Sequence, residues 1–197
     1  MLILMCIKPV TVTYDKYYQT QNLFGEPYPE LIAFFADFPM KGKVLDLGCG
    51  QGRDAIALAR LGYPVIGIDN SKVGIDQMNE IGHSENLDLV GHVGDIYAFD
   101  RFSEFAFILL DSMFHFTKKD KEKEIGLIKK IVSDMRKGSL LLVCIQDTGD
   151  KVQTLNKAID IERKHKRLSD KEFKYIFEDS ESGHKSETDY RMIVIEK

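Results

Sequence analysis

The chain has 197 residues, 44% apolar and 29% charged, and its 27 basic against 31 acidic side chains leave a formal charge of −4. That length suits one domain with a short N-terminal extension, and the composition is that of a soluble globular protein. It argues against the basic footprint of a dedicated nucleic-acid binder, no stretch is long enough for a membrane span, and Cys6, Cys49 and Cys144 lack the spacing of a zinc site or a disulfide scaffold.

Met1 to Ile7 is apolar but is stopped by Lys8 and Pro9, too short for a signal core; it reads as an extra edge strand or a leader. Residues 14–40 read as two helical pieces. Pro27 and Pro29 suit a helix start, and Leu31, Ile32, Phe34, Phe35 and Phe38 follow at helical spacing. Then strands and amphipathic helices alternate: strand Val44–Leu47, helix Ala55–Leu61 closed by Gly62, and strand Val65–Ile68. Helix Val73–Ile81 follows, with Ser71 as N-cap and Gly82 at its end, then strands Leu87–Val93 and Ala106–Leu110. Helix Lys121–Ser133, strand Leu140–Ile145 and helix Lys151–His165 come next. Strands Phe173–Phe177 and Met192–Ile195, joined by the polar loop Ser180–Asp189, close the chain. The basic run Arg163–Arg167 reads as a solvated helix end or as a phosphate site.

Alternating β and α elements predict an α/β, Rossmann-like three-layer αβα sandwich. Its seven-stranded sheet is mostly parallel, and the last two strands form an antiparallel C-terminal hairpin because no helix fits between them. Ligands of such sheets bind beyond the carboxyl ends of the strands. That rule selects the residues after Leu47, Ile68, Val93 and Leu110.

After Leu47 the chain reads Gly48-Cys49-Gly50-Gln51-Gly52-Arg53-Asp54. Glycines there permit a tight turn and close backbone approach, and the following helix presents free amides to an anion. A plain turn or a dinucleotide site has the same glycines. Two residues weigh against a pyrophosphate. Asp46 in the strand repels phosphate but accepts from an ammonium group, and Arg53 stands where the dinucleotide spacing needs a third glycine. An ammonium and a carboxylate together make an amino-acid tail, and Arg53 suits the carboxylate.

Val44 to Gly62, VLDLGCGQGRDAIALARLG, resembles motif I of the class I S-adenosylmethionine-dependent methyltransferases. The short length and the phrase LDLGCGQGR are most similar to the compact tellurite-resistance and thiopurine-type branch. The resemblance covers about residues 10–197 and implies S-adenosyl-L-methionine as cofactor, with S-adenosyl-L-homocysteine as product. It assigns the methionine portion to Asp46 and the backbone at Gly48 and Gly50. Gly67-Ile68-Asp69-Asn70 resembles the next motif, so Asp69 takes both ribose hydroxyls and Asn70 lies against adenine; otherwise Asp69 is a turn or cap residue. Gly94-Asp95-Ile96 resembles the third, with Asp95 on the adenine amino group and Ile96 on its ring, though Asp is also a common turn former. The segment from Leu110 faces the methyl group in this family, which makes Asp111 and His115 the candidate substrate contacts, or structural loop residues. Tyr14, Tyr17 and Tyr18 resemble an aromatic helix that closes over the cofactor and offers ring faces to the sulfonium, notably Tyr14 and Tyr18; alternatively they pack on the core.

The resulting expectation is a cytoplasmic methyltransferase, monomer or homodimer, with an N-terminal extension and lid over 1–40 and the cofactor domain over 41–197. It uses no metal and no membrane, and a small-molecule acceptor (thiol, oxyanion or amine) is favoured over nucleic acid, since an Asn/Asp-Pro-Pro-aromatic signature is absent. Open alternatives are a non-catalytic cofactor-binding member of the fold, a methyltransferase of protein or RNA, and a nicotinamide-dependent oxidoreductase.

Overall fold

The computed structural model of the protein describes residues 13–20, 23–160, 165–179 and 184–197. A 3-10 helix (Thr13–Gln19) and α1 (Pro29–Asp37) precede β1 (Val44–Leu47), α2 (Arg53–Arg60), β2 (Val65–Asp69), α3 (Lys72–Ser84) and β3 (Leu89–Val93). Then come β4 (Phe107–Asp111), α4 (Lys121–Asp134), β5 (Leu140–Gln146), α5 (Lys151–Ile159), β6 (Lys166–Asp179) and β7 (His184–Glu196). The sheet order is β3-β2-β1-β4-β5-β7-β6. The first five of these strands run parallel; β7 is antiparallel to β5, and β6 to β7. The Rossmann-like sandwich with a terminal hairpin is therefore the architecture observed. No helix among the described residues is long and apolar enough to cross a membrane.

Strand alternation sorts the core into two layers. Val44, Leu109 and Leu142 pack with Phe35, Leu58 and Met78 from α1, α2 and α3. Leu45, Leu47, Ile108 and Leu110 pack with Leu127, Ile131 and Leu155 from α4 and α5. Such side chains each contribute about 1.5–3 kcal/mol when fully buried. Asp46 alternates with Leu45 and Leu47, so it joins Val44 on the α2 side of the sheet.

Several boundaries move. The helix after the glycine turn starts at Arg53, two residues before the apolar pattern, so Arg53 and Asp54 occupy its first turn. The Ser71 N-cap is present, its hydroxyl accepting from Gly74 N at 3.1 Å, but the helix runs through Gly82 to Ser84. The third strand begins at Leu89, not Leu87.

The largest correction is the hairpin. The α5 helix ends at Ile159, not His165, and β6 begins at Lys166; residues 161–164, with part of the basic run, lie outside the described residues. His184–Asp189, read as loop, is strand, and residues 180–183 lie outside the described residues. Both strands are polar on their solvent face. Arg191 bonds Asp170 at 2.6 Å and pairs with Glu172, and Lys174 pairs with Glu187. Cross-strand pairing, which a hydropathy pattern does not register, makes these residues a strand. Arg167 of the basic run pairs with Asp170 at 2.8 Å. Cys6 and the segment Met1–Ile7 also fall outside the described residues.

Candidate active site

Four parallel strands end on one edge, and the turns that follow them meet there. Gly48, Gly50 and Gly52 adopt φ of +77°, +54° and +84°, left-handed values that side chains resist. The turn is tied to β2: Gly48 N donates to Ile68 O at 2.8 Å, and Gly50 N donates to Asp69 Oδ2 at 3.0 Å. Ser71 N donates to Asp69 Oδ1 at 2.7 Å. One carboxylate thus clamps two turns, and a carboxylate has about four lone-pair sites, so accepting capacity remains. Burial pushes Asp69 above the ordinary carboxylate range, with the Ser71 and Gly50 amides acting against it.

The N-terminal 3-10 helix lies across this turn. Tyr18 is buried, and a Cβ on Gly50 would overlap its hydroxyl. Asp15 holds the helix to the start of α3, accepting from Ser71 Oγ at 2.5 Å. Gln77 donates to Tyr18 O at 2.9 Å, and Gln51 donates to Thr20 O at 2.8 Å. Tyr14 stacks on Tyr18 with centroids 5.8 Å apart.

Arg53 sits among carboxylates. Its Nε and Nη2 face Asp54 Oδ1 and Oδ2 at 3.3 and 3.1 Å, and Nη2 also meets Asp111 Oδ2 directly. Nη1 reaches Phe24 O at 3.4 Å, and the guanidinium lies 4.6 Å over the Tyr28 ring. Burial works against the Arg53 charge, but Asp54 and Asp111 more than offset it and hold the group protonated. Burial pushes Asp111 well above the ordinary range, as does Asp54, while Arg53 pulls the other way. One guanidinium does not neutralise two carboxylates. Ser112, at φ +54°, donates to Asp111 Oδ1 at 2.7 Å and shares a 2.6 Å bond with the Tyr28 hydroxyl.

Asp46 lies beneath the turn, 2% exposed, and its Oδ2 has no partner among the described residues. Burial, then Asp54, pushes it well above the usual carboxylate value. The native state therefore binds this proton more tightly than the unfolded chain, whose value is about 3.9. Its stabilisation is complete below that pH and is lost as pH rises through the higher native value. In denaturant titrations of the unliganded protein, Asp46→Asn is expected to make the fall of stability with rising pH shallower, by up to about 1.4 kcal/mol per pH unit. An unaltered slope would place the titrating group elsewhere.

The remaining expected residues divide. Asn70, Asp95, Ile96 and His115 line the same cleft as Gly48, Gly50, Arg53, Asp69, Asp111, Tyr14 and Tyr18. Asp95 also caps a short helix, accepting from Tyr97 N at 2.9 Å. The loop bearing His115 is set by buried Glu124, which accepts from His115 N at 3.2 Å and Phe116 N at 2.7 Å. Leu110 is buried in the layer facing α4 and Asp46 lies below the turn, so neither side chain lines the cleft. Residues not anticipated are Asp54, Tyr28, Ser112, Gln146 and the hairpin residues Tyr175, Phe177 and Tyr190. Alternation of Phe173, Tyr175 and Phe177 marks one strand face and was the available signal for two of them.

The fold defines a Rossmann-like α/β protein with a candidate ligand cleft at the ends of β1, β2, β3 and β4. The family model described as "Tellurite resistance protein TehB" matches residues 11–194, and the chain belongs to that family. It is 31% identical over 138 residues to "Probable S-adenosyl-L-methionine-dependent methyltransferase TehB" of Haemophilus influenzae, covering 70% of this chain and 46% of that protein. It is 27% identical over 125 residues to "2-heptyl-1-hydroxyquinolin-4(1H)-one methyltransferase" of Mycobacteroides abscessus, covering 62% of this chain and 54% of that one. The chain thus spans about half the length of these curated relatives. The crystal structure of TehB from Haemophilus influenzae has the same fold, with a TM-score of 0.70 at 22% identity over 93% of this chain and 65% of that one.

Proposed function

We propose that this chain is an S-adenosylmethionine-dependent methyltransferase acting on a small molecule. The carrying observation is the turn of left-handed glycines at the end of β1 with Asp69 at the neighbouring strand end, which line one cleft. Asp46 lies beneath that turn with an Oδ2 that has no partner among the described residues, a negative end directed at the region where an ammonium group would sit above it. The names of the two methyltransferase relatives support the same reading.

In this reading the backbone at Gly48 and Gly50 holds the methionine portion, with Asp46 acting from beneath the turn, and Asp69 accepts from both ribose hydroxyls. Asn70, Asp95 and Ile96 receive adenine, and Tyr14 and Tyr18 cover the cofactor. Arg53 points mainly to Asp54, Asp111 and Phe24 O, and in this reading the turn amides take the ligand carboxylate. When bound, the cofactor would supply an electrophilic methyl group to an acceptor heteroatom and leave as S-adenosyl-L-homocysteine. The chain aligns the acceptor and excludes water. Asp111 and His115 face the acceptor, and a protonatable Asp111 receives the proton of an acceptor hydroxyl. A reducing cytoplasmic setting belongs to the same proposal, consistent with the free, buried thiols of Cys49 and Cys144.

Two measurements decide it. S-adenosylhomocysteine, but not NAD or NADP, is expected to raise the melting temperature, because a ligand of the native state stabilises it by mass action. Methyl transfer from labelled cofactor is then measured against thiols, oxyanions, amines and RNA. Stabilisation by a nicotinamide cofactor, or transfer confined to RNA, would overturn the proposal.

A further inference from the structure

The terminal hairpin extends past the sheet. Pairing of β5 with β7 stops at Gln146↔Tyr190, whereas β6 and β7 stay paired through Tyr175↔Thr188 and Phe177↔Ser186 to Asp179↔His184. Beyond Tyr190 the two strands form an arm with no third strand, and such a ribbon needs a packed face to be stable. One face carries Tyr175, Phe177, Ser186 and Thr188, and all four line the cleft. The other face carries Ile176 and the Lys174–Glu187 ion pair.

The chain at 24–28 closes on the aromatic face. Tyr175 Oη lies 3.1 Å from Phe24 O and 3.0 Å from Glu26 O, and its one hydroxyl hydrogen is shared between the two carbonyls. Gly25, at φ +68°, permits the approach, since a Cβ there would lie 2.7 Å from Tyr175 Oη and 3.3 Å from the Phe177 ring. Tyr28 packs at 4.7 Å on Tyr175 and 4.8 Å on Tyr190. Phe24 remains 48% exposed beside partly exposed Tyr175 and Phe177.

The cation at this end is already outnumbered. Arg53 is shared by Asp54 and Asp111, so an anion entering here meets two carboxylates against one guanidinium. Removing an anion from water without new donors is costly, whereas a flat ring displaces water from aromatic surface. The cleft, at about 1700 Å³, exceeds the roughly 300–1000 Å³ of a single ligand site, which leaves room for a second molecule beside a nucleoside.

We propose that the hairpin arm is the acceptor wall, and that the acceptor is a planar, mainly apolar ring system bearing a neutral hydroxyl or thiol rather than an inorganic anion. The proposal rests on the methyltransferase reading for the word acceptor, while the pocket itself is testable without it. Calorimetric titration with 2-naphthol, with and without saturating S-adenosylhomocysteine, is expected to show binding. Phe177→Ala is expected to weaken it about tenfold, with Phe177→Leu in between, while S-adenosylhomocysteine affinity stays within about twofold. Far-ultraviolet circular dichroism and the retained S-adenosylhomocysteine affinity report that the variants are folded. No binding to the unaltered protein, equal binding to Phe177→Ala, or displacement of 2-naphthol by inorganic phosphate would overturn the inference. Failure of S-adenosylhomocysteine to bind would overturn the methyltransferase reading instead, and the titration without it would still decide the pocket.

Discussion

Arg53→Ala is expected to destabilise the protein by about 3–5 kcal/mol, the usual cost of removing one partner from a buried ion pair. Arg53 and Asp111 have side chains only 14% and 3% exposed, and Asp54 is 8% exposed. Without the guanidinium, Asp54 and Asp111 face each other with Asp46 nearby, and the cation that acts on both Asp46 and Asp111 is gone. For a chain of this size that loss lowers the melting temperature by on the order of 10 °C. The pH dependence has a definite sign. Removing Arg53 takes away the influence that lowers Asp111, so its native value rises further above the unfolded one. The protonated form then stabilises the native state below the unfolded value of about 3.9, and that contribution is lost as pH rises through the native value. The deficit of Arg53→Ala should accordingly be larger at pH 8 than at pH 5 in denaturant titrations. Adding Asp111→Asn should restore part of it, since these sites are in contact and are not additive. A deficit under about 1 kcal/mol, equal at both pH values, would mean that water already screens the cluster.

Asp69→Ala is expected to weaken S-adenosylhomocysteine binding about a hundredfold or more. Hydrogen bonds to a charged acceptor are worth about 1.5–3 kcal/mol each, and the proposal gives this carboxylate two ribose hydroxyls. The same carboxylate accepts from Gly50 N and Ser71 N, so the substitution also loosens the glycine turn. A cycle separates the two effects. Against the unaltered protein, the 2′-deoxy analogue of S-adenosylhomocysteine should bind more weakly than the parent compound. Against Asp69→Ala the two compounds should bind alike. If the variant still prefers the parent compound by the same factor, Asp69 only holds the turns and the ribose lies elsewhere. Asp69→Asn, which keeps an acceptor oxygen but loses the charge, should fall between.

The parallel core and its strand ends were legible because their signals are local. Val44–Leu47 reads as a buried strand from four successive residues, and it is one. Ser71 caps α3 through a hydroxyl three residues from its partner amide. The polar hairpin was not legible. Arg191 meets Asp170 and Glu172 from another strand, and period and hydropathy do not register a partner 19 or more residues away.

The same distinction divides the site. A glycine turn after a strand bearing Asp46, an acid at the next strand end, and the alternation that builds a Rossmann-like sheet all follow from the order of residues, because they depend on backbone freedom and spacing within a few residues. The tertiary structure alone decided what Arg53 does. It stands beside Asp54 in the chain, but Asp111 comes from β4, 58 residues on, and Tyr28 from the segment before α1. It also decided that Tyr18 rests on Gly50 and that the hairpin aromatics wall the cleft. Charge neutralisation and ring packing act through space at a few ångströms. Only the folded chain brings those groups within that range.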